Sequence, residues 1–285
     1  MISDYFYTTD KITDHMDAVR SRTGEIMYLI KGTERAVLAD TCLGVGNIRA
    51  VVEGMTDLPL TVILTHGHVD HAMGAPLFEN VYMNDADRMV YLAHSAPDIR
   101  QGYIEAGLGA EPGSWKDAEY VPVKEPDFIQ PLRDGDIFDL GGIHVEAYAL
   151  AGHTPGCMVL LVPEERVLIT GDAANNSVFL FDEFSLTVEE YKENVIQLKD
   201  RLAGRYDRCF LMHHDMEAGG QLLSSLVQVC DDILSGHTDD IPFAFMGGHY
   251  FAAKAFGVGF QRLDGIEGNI IYNKEKVFRN EYHEY

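Results

Sequence analysis

The sequence predicts an α/β fold in which two β-sheets are sandwiched between helices. Three observations point to it. Short apolar runs of strand length alternate with helical segments along most of the 285 residues. Several of the strand runs are close enough in sequence to form antiparallel hairpins. Histidine and aspartate recur where such runs end, the usual place for functional groups carried by a rigid scaffold.

Residues 28–31 and 36–40 read as two strands joined by Gly32-Thr33-Glu34. Residues 47–55 read as a short helix and 60–65 as a buried strand. Helix is expected over 72–78, strand over 81–83 and helix again over 85–94. Residues 96–127 carry Pro97, Pro112, Pro122 and Pro126 together with Trp115, Tyr120 and several glycines. They are expected to form an irregular, loop-rich insertion over the core. Strands resume at 143–150, 157–162 and 167–170. Val188, Tyr191, Val195, Leu198 and Leu202 recur at helical spacing, so 187–202 is an amphipathic helix packed on the core. A strand at 209–212 precedes a last helix marked by Leu222, Leu226, Val229 and Ile233. Residues 241–285 form a glycine- and aromatic-rich extension with strand-like pieces such as 269–272. One domain over 1–285, with its core at about 24–235, is the simplest organisation.

The formal net charge of −23 opposes binding to nucleic acid or to an anionic membrane, both of which need a basic surface. The expected partner is a small-molecule substrate. No apolar run is long enough to span a bilayer. The first residues show no basic region followed by an apolar stretch. The four cysteines (Cys42, Cys157, Cys209, Cys230) form no CxxC pair. A cytoplasmic setting with reduced thiols is therefore expected. The aromatic extension is the expected contact of a homodimer.

The densest chemical signal is His66-Gly67-His68-Val69-Asp70-His71, directly after the 60–65 strand. Neutral imidazoles and a carboxylate suit zinc, iron or manganese. Alternate residues of an extended segment point the same way, so His66 and His68 can share one ion. Asp70 and His71, at a helix entry, then face a second. Gly67 lets the backbone turn between the two histidines without a Cβ clash. Three later segments also place a ligand type after a strand: Gly152-His153-Thr154-Pro155-Gly156, Gly171-Asp172 and Met212-His213-His214-Asp215.

In this order, HxHxDH, GHTPG, GD and a late histidine, the chain resembles the metallo-β-lactamase superfamily over residues 24–235. The resemblance implies an αββα four-layer sandwich with two divalent ions, zinc above iron or manganese, at one edge of the sheets. Carried over by motif, His66, His68 and His153 hold the first ion. Asp70, His71 and His214 hold the second, and Asp172 bridges them. The family has Gly-His at the last motif and this chain has His213-His214, so the register selects His214 and leaves His213 beside the ligands. Asp40 reads either as a support of the metal loop from behind, as in the family, or as a turn cap. His249 and Tyr250, in the extension, are candidates for facing the substrate. The remaining histidines, His94 and His144 among them, read as ordinary surface or strand residues.

Two ions, bridged by a carboxylate and leaving open positions, imply catalysis rather than a closed structural site. The expected activity is a metal-dependent hydrolase. A metal-bridging hydroxide, oriented by Asp70, would cleave a small ester, thioester or lactone. The alternatives are a mononuclear iron enzyme similar to the persulfide dioxygenases and a small-molecule phosphodiesterase. Among hydrolases a glyoxalase II-like thioesterase is the nearest named comparison. It needs cations for glutathione, and Lys254 and Arg262 are the ones available near the C-terminal region.

Overall fold

The computed structural model describes residues 6–111 and 113–279. Pro112 of the expected insertion and residues 280–285 of the expected extension lie outside that part. The chain begins with β1 (Tyr7–Lys11), β2 (Met16–Ser21), β3 (Ile26–Lys31) and β4 (Ala36–Ala39), then α1 (Ile48–Glu53) and β5 (Leu60–Ile63). Next come α2 (Val69–Ala72), β6 (Val81–Met83), α3 (Arg88–His94), α4 (Pro97–Leu108) and β7 (Ile129–Pro131). The second half opens with β8 (Ile137–Asp139), β9 (His144–Ala149), β10 (Met158–Val162), β11 (Val167–Ile169) and β12 (Val178–Leu180). It continues with α5 (Val188–Arg201), β13 (Arg208–Phe210), β14 (Glu217–Gly219) and α6 (Leu222–Leu234). It ends with β15 (Ile241–Phe245), β16 (Gly248–Ala252) and β17 (Ile270–Tyr272).

Strands β1 to β7 pair in chain order into one sheet, and β14-β13-β11-β10-β9-β8 form a second. Alternation along the strands gives each sheet two apolar faces. Tyr28, Ile30 and Val37 from the first sheet meet Val145, Leu160, Ile169 and Phe210 from the second in a central core. The outer face of the first sheet packs with Ile48, Val52, Ala72 and Ile104 of the helices. That of the second packs on Val195, Leu198, Leu226 and Val229 of α5 and α6. The four layers expected from sequence are therefore present.

Helix α5 shows why its sequence starts where it does. The Thr187 hydroxyl accepts from the Glu190 amide, and the Glu190 carboxylate accepts from the Thr187 amide, a reciprocal cap. Glu189 and Glu190 lie in the first turn and Lys199 and Arg201 in the last, as the helix dipole favours. A Thr187→Ala variant should lose about 1 kcal/mol in a urea titration, with the slope unchanged.

Three expectations are corrected. The 96–127 insertion is not irregular throughout. It holds the twelve-residue α4, with Pro97 at its first position and Gly109 closing it at φ 59°. Proline is favoured at a helix start, where its missing N–H costs nothing. The helix expected over 72–78 stops at Ala72 and resumes only as a 3₁₀ turn at Ala75–Leu77, which contains Pro76. The extension carries a regular hairpin, β15-β16, which joins β17 and β12 as a third sheet in the order β12-β17-β16-β15.

Candidate metal centre

The first motif lies where β5 empties towards α2. His66, His68, Asp70 and His71 are all buried. Gly67 is held against the start of α3. A Cβ there would stand 2.7 Å from the Tyr91 amide nitrogen and 2.8 Å from the Asp87 carbonyl. So the glycine serves close packing of backbone on backbone rather than a turn. Gly171 takes φ 54° and presses on Thr65, which sets Asp172 at the mouth.

Two groups of donors converge. Ligand-type atoms of His66, His68 and His153 lie within 4.8 Å of one another, and so do those of Asp70, His71, Asp172 and His213. His153 Nε2 is 2.9 Å from His68 Nδ1, and His71 Nε2 is 3.0 Å from His213 Nε2. Asp172 reaches both groups. Its Oδ2 is 3.7 Å from His153 Nε2 and 3.6 Å from His71 Nε2, and its Oδ1 is 3.4 Å from His213 Nε2.

A layer of hydrogen bonds fixes these side chains. Asp40 accepts from the Thr65 amide at 2.6 Å and from its hydroxyl at 2.7 Å, and stands 2.6 Å from His71 Nδ1. It holds the loop from behind, as the family resemblance implied. His153 Nδ1 stands 2.8 Å from the Phe179 carbonyl. Each contact leaves Nε2 of its histidine aimed at the centre. Asp87 accepts from the Gly67 amide, the Thr154 hydroxyl and the Gly156 amide, and so joins the first motif to the second.

The electrostatics divide the two groups. Burial and the neighbouring imidazoles of His71, His68 and His153 push the His66 pKa well down. Burial and His68 lower that of His153. These rings are neutral and offer lone pairs. In the second group burial disfavours charge on His213, but Asp172 and Asp70 outweigh it and push its pKa up to about 10. Burial likewise opposes ionisation of Asp172, and His213 and His71 reverse this. Two carboxylates thus draw positive charge to the point where they meet.

The structure corrects the last motif. His213, not His214, turns into the second group. The Leu211 carbonyl accepts from Tyr28 and the Met212 carbonyl from the Ile26 amide, and His213 itself bridges Glu25 as a strand residue would. Beyond β13 the chain bends at Met212, and these bonds with the bridge to Glu25 place His213 in the second group. His214 then takes φ 56°, and its exposed ring turns to Phe260, 5.2 Å between centroids. His249 is exposed, pairs across the hairpin with Ala244 and belongs to neither donor group. Tyr250 stacks on Phe181 at 3.9 Å. Lys254 and Arg262 are engaged by Asp232 at 2.6 Å and Asp264 at 2.5 Å.

Besides Asp87, three residues around the donors escaped the sequence. Tyr103 of α4 donates its hydroxyl to Asp70 Oδ2 at 2.6 Å. His94 stacks on His68 at 4.3 Å, and burial beside that ring lowers its pKa to about 4. Asp182 Oδ2 lies 3.5 Å from His68 Nε2. A Tyr103→Phe variant keeps the ring and loses one charged hydrogen bond. It should melt within a degree or two of the parent and lose roughly 10- to 100-fold in kcat/KM or in metal affinity. Unchanged kinetics and unchanged metal content would remove Tyr103 from the site.

The donors fit divalent ions. His66 Nε2 is buried without a hydrogen-bond partner, a costly state unless something is bound to it. The imidazole trio and the carboxylate-rich second group are both sets that zinc, iron or manganese accept.

The family model described as "Metallo-beta-lactamase superfamily" matches residues 26–213, well over half of the chain. The chain belongs to the metallo-beta-lactamase superfamily. A similar relative is the acyl-coenzyme A thioesterase MBLAC2 of Bos taurus, 25% identical over 171 residues, 51% of this chain and 57% of that protein. Another is the atrochrysone carboxyl ACP thioesterase nsrC of Aspergillus novofumigatus, 28% identical over 154 residues, 52% of this chain and 38% of that protein. The chain thus spans about half or less of the length of these two relatives. Among solved structures, the superfamily protein ST1585 from Sulfolobus tokodaii aligns with a TM-score of 0.53 at 16% identity, covering 79% of this chain and 85% of that one. Likeness at that identity establishes the metallo-beta-lactamase fold. Neither thioesterase bears the name of a glyoxalase II, so the resemblance to that branch gains no support from them.

Proposed function

We propose that the chain is a dinuclear metal-dependent hydrolase acting on thioesters. The observation that carries it is Asp172, within 4 Å of the ligand-type nitrogens of His153 on one side and of His71 and His213 on the other. In this reading His66, His68 and His153 would hold one ion, and Asp70, His71 and His213 the second, with Asp172 within reach of both. Divalent ions so held supply a water of lowered pKa and polarise a substrate oxygen.

The chain's own groups do the rest. Burial works against the ionised form of Asp70, but His71 and His213 outweigh it and keep it a carboxylate. Asp70 would accept a hydrogen bond from the attacking water and aim it, while Tyr103 donates to Oδ2, the Asp70 oxygen that also faces His71 and His213. No serine or cysteine nucleophile is required. Thioester is favoured over ester and lactone because the bovine and fungal relatives are both described as thioesterases.

The test is metal content of protein purified without chelator or added metal, followed by thioester, ester and lactone panels. Two equivalents of metal and turnover of thioesters are expected. Asp172→Ala should lose one equivalent and nearly all turnover. Two metals and full activity in that variant would sink the bridging assignment. A single iron with oxygen-dependent turnover of persulfides would replace the hydrolase with a dioxygenase.

A further inference from the structure

The third sheet has two unlike faces. Val178, Leu180, Ile270 and Tyr272 face inwards and join the core beneath α5 and α6. The opposite face carries Phe179, Phe181, Phe243, Phe245, Tyr250 and, from the following loop, Phe256 and Phe260. On β15 the alternation is strict. Phe243 and Phe245 are half-buried on this face, while Pro242 and Ala244 are exposed on the other. The rings form one continuous surface: Phe179 lies 5.8 Å from Phe243, 5.5 Å from Phe245 and 6.1 Å from Phe260. Such a surface beside water is costly unless it meets an apolar partner.

The face is anchored to the metal centre at two points. The carbonyl of Phe179 fixes His153, and the ring of Phe260 packs on His214, next to His213. An apolar group lying on these rings would have one end on the side of the face where Phe179 meets His153. Among the described residues the neighbouring cations each have a partner. Lys254, Arg262 and Lys274 pair with Asp232, Asp264 and Asp240, and Lys276 donates to the carbonyls of Asp182, Glu183 and Ser185. With a net charge of −23, nothing in this region invites a polyphosphate carrier.

We infer that the aromatic face of the third sheet is the acyl subsite, binding an apolar alkyl or aryl acyl group of a thioester whose thiol carrier is not recognised by its negative charge. The substrate part of this inference rests on the thioesterase reading; the binding surface does not. A second copy of the chain seated here would instead cover the Phe260 edge that borders the metal centre.

The test is calorimetry of the metal-containing protein with non-hydrolysable thioethers: S-ethyl- and S-decyl-N-acetylcysteamine, and S-decyl-coenzyme A. The decyl compound should bind at least about 10-fold more tightly than the ethyl compound. The coenzyme A carrier should add no affinity at low salt. A Phe243→Ala/Phe245→Ala double variant should lose the decyl preference while staying folded, at a lower melting temperature, with its metal content unchanged. Equal binding of ethyl and decyl, or tighter binding through coenzyme A, overturns the inference without any variant being needed. So does a decyl preference that survives in the folded double variant. A Phe243→Asp variant that turns a dimer into a monomer, with no decyl preference in the parent, would mark a subunit contact and overturn it as well. Decyl binding without hydrolysis of any thioester would overturn the proposed function and leave the subsite standing.

Discussion

His213→Ala should cost about one equivalent of metal and reduce turnover by on the order of 100-fold or more, while His214→Ala keeps both equivalents. Removing a group that only orients a ligand costs roughly 10- to 100-fold, and removing the ligand itself should not cost less. The argument is geometric. His213 Nε2 stands 3.0 Å from His71 Nε2, 3.2 Å from Asp70 Oδ2 and 3.4 Å from Asp172 Oδ1. His214 is exposed and packs on Phe260 instead. Elemental analysis and kcat/KM of the two purified variants decide it. Loss of metal from His214→Ala alone would restore the register read from the motif.

The reason that register misled is local. Aligning two adjacent histidines to a Gly-His pattern assumes that the strand ends at the same place. Here β13 ends at Phe210, the chain bends at Met212 while the Tyr28 and Ile26 bonds still hold it to β3, and the left-handed residue falls on His214. A one-residue shift at a strand end swaps which side chain points inward. The ligand types after each strand were legible because they are short-range patterns. Their companions were not. Tyr103 lies 33 residues after Asp70 and meets it only because α4 packs on α2. Pro97 reads as a breaker in a segment with several prolines, yet Pro97 at the start and Gly109 at the end are the marks of a helix. The β15-β16 hairpin also left a signal, the alternation of Ile241, Phe243 and Phe245 before Met246-Gly247, where both residues take positive φ. β1, polar in four of its five positions, pairs only with β2 at the sheet edge and gives no apolar alternation to read.

Asp87 is the position where fold and site depend on one side chain. It is fully buried, and its carboxylate accepts from Gly67 N at 2.8 Å, Thr154 Oγ1 at 2.7 Å and Gly156 N at 2.6 Å. Gly67 separates His66 from His68, and Thr154 and Gly156 follow His153. One carboxylate therefore sets the spacing of the whole imidazole trio. In Asp87→Ala two backbone amides and a hydroxyl lose their partner in a buried place. Each such loss costs roughly 1–3 kcal/mol. Against this, burial pushes the Asp87 pKa up, and the three donors draw it only part of the way back, so alanine also removes a desolvation cost. The net loss should be about 2–4 kcal/mol, a fall in melting temperature of roughly 3–7 °C. The trio should lose its ion before the second group does, because His71 is held by Asp40 and does not depend on Asp87. Asp87→Asn keeps the shape and one strong acceptor, and should fall between the parent and alanine in both melting temperature and metal content. An alanine variant with the parent's melting temperature and its full metal content would show that the two loops are held apart from Asp87.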